Sequence, residues 1–250
     1  MNFQNRKRLI LELVEQLESV DVRELAAHVQ TSEMTIRRDL TQLAAEGLLY
    51  RTRGGAMRVD VAAQPFRFEN KAASRAEQKD HICQLAAQQI QEGETIFLDC
   101  GSTIFRIHPY IRHKRIQVIT NSLPLMAELL NSSVQINLIG GEIDRERQAV
   151  HGFMAEQHIR QYRADRAFIG VDGISAANGL SAASEKEAST AIHMAQQAKQ
   201  VYLLCDSSKF ERDKYLHFAP LTLAHTLITD KEAPIDQLNK YRKRGIHIVQ

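Results

Sequence analysis

Short apolar runs that alternate with helical segments dominate the chain beyond residue 79, and this pattern restricts the possible folds more than any other feature. Each run is three or four residues long and most are rich in Val, Ile, Leu or Phe. Apolar strands separated by helices are typical of a largely parallel sheet with both faces covered. We therefore predict an α/β domain over residues 79–250, with strands at residues 95–98, 118–120, 136–139, 167–169, 201–204, 226–228 and 246–249.

The first 58 residues predict a separate, smaller unit of three helices and a hairpin. Apolar residues recur at helical spacing from Leu9 to Leu17 and again from Val22 to Val29. Ser32 is a suitable N-cap for a third helix. A short strand at residues 48–51 follows, and Gly54-Gly55 is expected to supply the positive φ angles of a tight turn. This order of elements predicts a winged helix-turn-helix.

The third predicted helix carries polar and basic residues on its solvent face, as a helix that reads the major groove of DNA does. From Arg37 to Arg58 there are five basic and two acidic residues, although the formal net charge of the whole chain is only +2. Adjacent arginines are also common on a solvated helix face, so the spacing alone leaves both interpretations open. The candidate DNA-binding residues of the helix and the wing are Ser32, Glu33, Thr35, Arg37, Arg38, Arg51 and Arg53.

Residues 59–78 lack a regular apolar period, contain Pro65 and predict a linker. No apolar run approaches the ~20 residues that a membrane span needs, and no apolar segment of a signal peptide follows the charged N-terminus. The three cysteines are widely separated and lack metal-ligand spacing. We therefore expect a reduced, cytoplasmic protein without a metal or another cofactor.

Small and polar residues follow five of the predicted strands. In an open α/β sheet, ligands bind beyond the carboxyl ends of the strands. Backbone N–H groups at a glycine that opens a helix, together with a lysine, would suit a phosphate, and carboxylates and amides would hold sugar hydroxyls. Helix caps and turns also need these residue types, so each residue alone has a purely structural alternative. The candidate effector-binding residues are Asp99, Gly101, Ser102, Thr103, Asn121, Ser122, Gly141, Asp172, Glu187 and Lys209.

Taken in order, these segments resemble the DeoR family of bacterial transcriptional regulators over essentially the whole chain. The similar stretches are residues 32–40, 53–56, 97–103, 119–123, 140–141, 170–173 and 206–210. The resemblance implies a sequence-specific DNA-binding regulator that represses a carbohydrate-metabolism operon and leaves DNA when a phosphorylated sugar or related metabolite binds. It also implies a sensor domain similar in fold to ribose-5-phosphate isomerase, with the phosphate at Gly101, Ser102, Thr103 and Lys209.

The chain departs from the family pattern at two points. Pro109 interrupts the helix after the glycine loop, which normally runs unbroken in the family. The segment from Glu187 to Ala191 lacks a lysine that family members often have there. We therefore expect an atypical ligand pocket.

Two other functions remain compatible with the sequence. In an isomerase with an appended domain, Asp99, Asp172 or Glu187 would be the general base. Residues 171–175 lack the second acid of the isomerase loop, however, and its glycine-rich lysine loop is missing, so we expect no enzyme. The second alternative is an interaction module with a degenerate pocket. Because one helix-turn-helix reads only a few base pairs, we expect operator DNA to be bound by a homodimer or homotetramer, held mainly by residues beyond 75.

Overall fold

The structure, a computed structural model, describes residues 3–17, 19–46, 48–51, 54–57 and 68–250. The chain divides into two compact units, residues 1–70 and 71–250. The candidate residue Arg53 and residues 59–67 of the expected linker lie outside the described residues. No helix among the described residues is long and apolar enough to cross a lipid bilayer.

The N-terminal unit is a winged helix-turn-helix. Asp21 and Ser32 cap the second and third helices through their side-chain oxygens. A three-stranded antiparallel sheet in the order β1-β3-β2 packs beside the helices. The elements are α1 (Phe3–Leu17), β1 (Ser19–Asp21), α2 (Val22–Val29), α3 (Glu33–Ala45), β2 (Tyr50–Arg51) and β3 (Gly55–Met57).

The prediction that Gly54-Gly55 supplies positive φ angles is wrong at Gly55, whose φ is not positive, and Arg53, which precedes Gly54 in the turn, lies outside the described residues. Gly55 is needed for a different reason. It pairs with Asp21 across β1 and β3, and an added Cβ would lie 2.0 Å from the carbonyl oxygen of Val20. The strand β1, which the sequence did not predict, therefore requires a residue without a side chain at this point of the wing.

The C-terminal unit is built on a parallel sheet of seven strands. Its order is β15-β14-β12-β9-β4-β5-β6, and each neighbouring pair is parallel. Together with the N-terminal unit, this sheet confirms the predicted fold class. The sheet strands are β4 (Thr95–Leu98), β5 (Gln117–Thr120), β6 (Gln135–Leu138), β9 (Ala164–Gly170), β12 (Ala198–Leu204), β14 (Thr226–Ile228) and β15 (His247–Val249).

Helices accompany the strands of this unit. Pro109 lies in the first turn of the helix His108–Ile111, and the helix that begins at Ser102 ends before it, at Phe105. The break predicted at this proline is therefore confirmed. The helices are α4 (Phe68–Ala73), α5 (Ala76–Gln88), α6 (Ser102–Phe105), α7 (His108–Ile111), α8 (Leu123–Leu129), α9 (Phe153–Arg160), α10 (Glu185–Gln196) and α11 (Ile235–Arg242).

Apolar side chains from both faces of the sheet build two cores. In β4, Phe97 belongs to one core while Ile96 and Leu98 belong to the other, as the two-residue period of a strand requires. Two small antiparallel sheets that the sequence did not predict lie beside the main sheet. They comprise β7 (Glu142–Asp144) with β8 (Ala149–His151), and β10 (Gly173–Ser175) with β11 (Gly179–Ala182) and β13 (Leu216–Ala219).

Candidate functional site

Helix α3 presents a buried face and an exposed polar face. Ile36, Leu40 and Leu43 are completely buried in the N-terminal core. Arg37 and Arg38 are exposed on the opposite side of the helix. This division places the two arginines where a partner outside the protein can reach them.

Hydrogen bonds organise the polar side chains along α3. Ser32 Oγ lies 2.9 Å from Thr35 Oγ1 and also accepts the Thr35 N–H. Arg37 Nη2 lies 3.2 Å from a carboxylate oxygen of Glu33. Arg38 has no hydrogen bond or ion pair with any residue that the structure describes. Arg37 is therefore paired within α3, whereas the guanidinium of Arg38 has no partner in the described part of the chain.

The wing is tied directly to α3. Arg51 in β2 donates a hydrogen bond of 2.8 Å to Thr41 Oγ1, one helical turn beyond Arg37. Thr41 was not among the residues singled out from the sequence. The contact brings Arg51 to the exposed face that carries Arg37 and Arg38.

In the C-terminal unit, Asp99 joins two neighbouring strand ends. Its carboxylate accepts the N–H of Cys100 at 2.7 Å and the N–H of Gly170 at 3.2 Å. Asp99 is buried, and burial raises the pKa of its carboxyl group. Its two oxygens thus fix the loops that follow β4 and β9 beside one another.

Asp172 lies among basic groups just beyond β9. Lys71 Nζ is 3.7 Å from its carboxylate, and the N–H of Ala183 donates to it at 3.1 Å. Burial by itself would raise the pKa of Asp172, but Lys71, the Ala183 N–H and Lys209 together hold it below its usual value. Lys209 Nζ donates to the carbonyl oxygen of Val171 at 2.6 Å, which places its ammonium next to the same loop.

Glu187, in the first turn of α10, is paired with a residue from the β7–β8 turn. Arg147 Nε lies 2.9 Å from its carboxylate, and both side chains are largely buried. Burial raises the pKa of Glu187 to about 7, although Arg147 opposes the shift. Asp172, Asp99 and Lys71 also act on the Glu187 carboxyl. We call the group formed by Lys71, Asp99, Gly101, Arg147, Asp172, Glu187 and Lys209 the strand-end site.

Gly101 has no structural requirement for glycine. Its φ is −60°, and an added Cβ would meet its nearest neighbours at 3.6 Å, an ordinary contact. Gly141 differs, because an added Cβ there would lie 2.7 Å from the carbonyl oxygen of His151. Packing explains the glycine at position 141, whereas the surroundings of position 101 would accommodate a residue with a Cβ.

Two of the remaining predicted residues, Asn121 and Ser122, form hydrogen bonds within the framework of the unit. Asn121 Nδ2 donates to the Val150 carbonyl at 3.1 Å and so holds β8 in place. Ser122 caps α8 by accepting the N–H of Leu125. Thr103 is buried, and Ser102 is half-buried at the start of α6. The structure therefore joins Asp99, Asp172, Glu187 and Lys209 electrostatically, while Asn121 and Ser122 support the framework around them.

Sequence reasoning missed two basic residues of the strand-end site. Lys71 lies in the segment predicted as a linker, and Arg147 lies in a turn between two strands that were not predicted. No local pattern marks either residue, because only the tertiary fold brings them to Asp172 and Glu187.

A buried series of polar contacts lies next to Asp99, and the sequence did not predict it. His151 Nδ1 is 3.0 Å from Thr190 Oγ1, whose hydroxyl donates to the Lys186 carbonyl at 2.9 Å. His151 Nε2 is 3.9 Å from the sulfur of Cys100. Burial lowers the pKa of His151 and raises that of the Cys100 thiol, which keeps both groups neutral.

The two units match two family models. Residues 6–61 match the DeoR-like helix-turn-helix domain, and residues 74–231 match the DeoR C terminal sensor domain. The chain belongs to the DeoR family of transcriptional regulators. It is a DNA-binding regulator with an N-terminal helix-turn-helix domain and a C-terminal sensor domain, as the resemblance in the sequence implied.

Curated relatives cover nearly the whole of this regulator. The putative aga operon transcriptional repressor of Escherichia coli O157:H7 is 32% identical over 98% of this chain and 92% of its own length. The glycerol-3-phosphate regulon repressor of Escherichia coli K12 is 30% identical over 90% of each chain. The L-fucose operon activator of Haemophilus influenzae is 33% identical over 96% of each chain.

A solved structure resembles part of the regulator. Ribose 5-phosphate isomerase A from Neisseria gonorrhoeae aligns over 57% of this chain and 56% of its own, with 14% identity and a TM-score of 0.42. A similarity this low carries no argument about the chemistry of the strand-end site.

Proposed function

We propose that this regulator represses a carbohydrate-metabolism operon and that a phosphorylated sugar, bound at the strand-end site, releases it from operator DNA. The observation that carries the proposal is the meeting of Lys71, Arg147 and Lys209 with Asp172 and Glu187 at the carboxyl ends of parallel strands. Relatives named as repressors of the glycerol-3-phosphate regulon and the aga operon support the role as a repressor.

The charges of the strand-end site match the two parts of a sugar phosphate. Lysine and arginine bind phosphate through charge-assisted hydrogen bonds. Carboxylates such as Asp172 and Glu187 accept hydrogen bonds from sugar hydroxyls. The unconstrained backbone at Gly101 supports a close approach of the phosphate, because a ligand explains a glycine there that the fold does not require.

Helix α4 would carry the response toward the DNA-binding domain. Lys71 lies on this helix, and Lys79 Nζ donates a hydrogen bond to its carbonyl oxygen. Arg106 donates to the carbonyl of Ala72 at 3.2 Å while pairing with Asp80 at 2.6 Å. Because α4 continues the chain that leaves the winged helix-turn-helix, a ligand that attracts Lys71 away from Asp172 acts on the connecting segment itself.

The site binds its sugar phosphate without converting it. An isomerase needs a general base positioned to remove a proton from substrate carbon. Glu187 is paired with Arg147, and the Asp99 carboxylate accepts hydrogen bonds from two backbone N–H groups. Neither carboxylate is therefore arranged to remove a proton from a substrate. An assay with pentose and hexose phosphates that detects turnover would contradict this part of the proposal.

The regulator acts in the cytoplasm, where operator DNA lies, as a homodimer or homotetramer. Symmetric half-sites require at least two copies of α3. Light scattering of the full chain at micromolar concentration should give at least the mass of a dimer. A monomer under those conditions would contradict this assembly.

Paired titrations test the proposed effector. Full-length protein is titrated by calorimetry with pentose and hexose phosphates, their unphosphorylated parent sugars and inorganic phosphate, and DNA affinity is measured with a duplex selected from a random library. One phosphorylated sugar should bind and weaken DNA binding about 5–150-fold, the usual range of allosteric coupling. No binding by any phosphorylated sugar, or binding without an effect on DNA, would contradict the proposal.

Two variants connect that result to the strand-end site. Lys209→Ala should weaken binding of the sugar phosphate while DNA affinity without effector stays nearly the same. Gly101→Val should weaken it more, because its side chain would occupy the space next to the backbone that the phosphate approaches. Gly101→Ala is the matched control for folding, since its Cβ meets only ordinary contacts. If Lys209→Ala reduces DNA affinity and keeps effector affinity, the assignment of this lysine is wrong.

A further inference from the structure

Met34 is the most exposed large apolar side chain among the residues that the structure describes, with a relative exposure of 81%. It occupies the second position of α3, directly after Glu33. A single exposed apolar residue is ordinary on a protein surface, so exposure alone indicates nothing. The position of Met34 on the helix, relative to the basic residues, is the observation that indicates a role.

Helical spacing places Met34 on the face that already carries the basic residues. Met34, Arg37, Arg38 and Thr41 are three, four and seven residues apart, so they form one stripe along α3. All four are exposed. Arg51 of the wing reaches the same stripe through its hydrogen bond to Thr41.

The polar residues around Met34 are largely committed to each other. The hydroxyls of Ser32 and Thr35 lie 2.9 Å apart, and Glu33 pairs with Arg37. Glu33 also lies 3.8 Å from Arg23 Nε. Met34 is therefore an exposed apolar side chain at the N-terminal end of α3, surrounded by polar residues that are paired with one another.

An apolar side chain has one specific target in the major groove. Phosphates and most base edges offer hydrogen-bonding groups, whereas thymine also presents its C5 methyl group. The N-terminal residues of a recognition helix are those that contact base edges. Methionine is unbranched and flexible, which lets it follow the surface of a methyl group. We propose that Met34 is a specificity-determining residue that packs against the C5 methyl group of a thymine in the operator.

Replacement of thymine by deoxyuridine removes only that methyl group and so tests the contact directly. The full-length wild type selects its operator from a random duplex library, and each thymine of one half-site is then replaced in turn. One replacement should weaken wild-type binding about fourfold, the factor expected for losing one buried methyl group. In Met34→Ala the same replacement should change affinity by less than about twofold, roughly the precision of such a comparison.

Met34→Leu is the matched control, since it keeps an apolar side chain of similar size and should keep the penalty for deoxyuridine. Because Met34 is exposed, neither variant should change the melting temperature of the protein. Equal deoxyuridine penalties in wild type and Met34→Ala at every thymine would overturn the proposal. Failure of the wild type to select any sequence would overturn it together with the placement of α3 in the groove.

Discussion

The ammonium of Lys71 lies 3.7 Å from the carboxylate of Asp172, so a residue on helix α4, within the segment predicted as a linker, lies next to the loop beyond a strand of the sensor sheet. Burial lowers the pKa of Lys71, and Asp172 opposes that shift. The pair therefore joins helix α4 to the loop after β9 within the C-terminal unit. Its loss should be visible in both effector binding and DNA release.

Lys71→Gln should weaken binding of the sugar phosphate about tenfold, since a hydrogen bond to a charged group contributes about 1.5–3 kcal/mol. Calorimetry measures the effector affinity, and a DNA titration measures release. Lys71→Arg keeps the positive charge and should retain most of the affinity. Unchanged effector binding in Lys71→Gln would exclude this lysine from the site.

The raised pKa of Glu187, about 7, predicts a pH-dependent stability. In the folded protein this carboxyl keeps its proton to higher pH than in the unfolded chain, whose usual value is 4.5. Stability from this group is therefore full below pH 4.5 and is lost as pH rises toward 7. Relative to the wild type, Glu187→Gln should gain about 2 kcal/mol of unfolding free energy between pH 5 and pH 8.

Urea denaturation of both proteins at several pH values checks that difference, and comparing two proteins cancels the titration of the other groups. Because Arg147 acts only on the ionised carboxylate, the ion pair contributes to the pH-dependent part of this difference, and the offset that remains below pH 4.5 compares a neutral carboxyl with the amide. A constant difference across the whole range would show that Glu187 titrates normally.

Arg38 is exposed and unpaired among the described residues, so its guanidinium is available to operator DNA. Arg38→Ala should weaken operator binding by about 1–3 kcal/mol, the usual contribution of an arginine that reads a base. Arg115→Ala is a suitable control, because Arg115 is also an exposed arginine and lies in the other domain. A gel-shift titration in which both variants bind like the wild type would disprove this placement of Arg38.

The two glycines after β6 should differ in their tolerance of a side chain. An added Cβ at Gly141 would lie 2.7 Å from the His151 carbonyl, whereas at Gly140 its nearest neighbour is His158 Nδ1 at 4.0 Å. Gly141→Ala should therefore cost about 1–3 kcal/mol, as overpacking usually does. Gly140→Ala should remain close to the wild type. Thermal denaturation compares the two, and equal melting temperatures would contradict the crowding at Gly141.

The sequence by itself determined the elements whose signals are local. Apolar periodicity marks the strands of the parallel sheet and the long helices, because burial on one or both faces repeats every few residues. Ser32 and Pro109 marked a helix start and a helix break, since caps and prolines act on their own backbone. Polar residues at the strand ends also indicated Asp172, Glu187 and Lys209, because parallel strands bring their carboxyl ends to one edge.

Only the tertiary structure decided which residues meet at that edge. Lys71 and Arg147 reach Asp172 and Glu187 from segments far away in the chain, and nothing in their local sequence indicates a partner. Gly55 is likewise explained by its distance to the Val20 carbonyl and not by its own backbone angles. Periodicity and capping depend on neighbours in sequence, whereas ion pairs, close approaches and burial depend on neighbours in space.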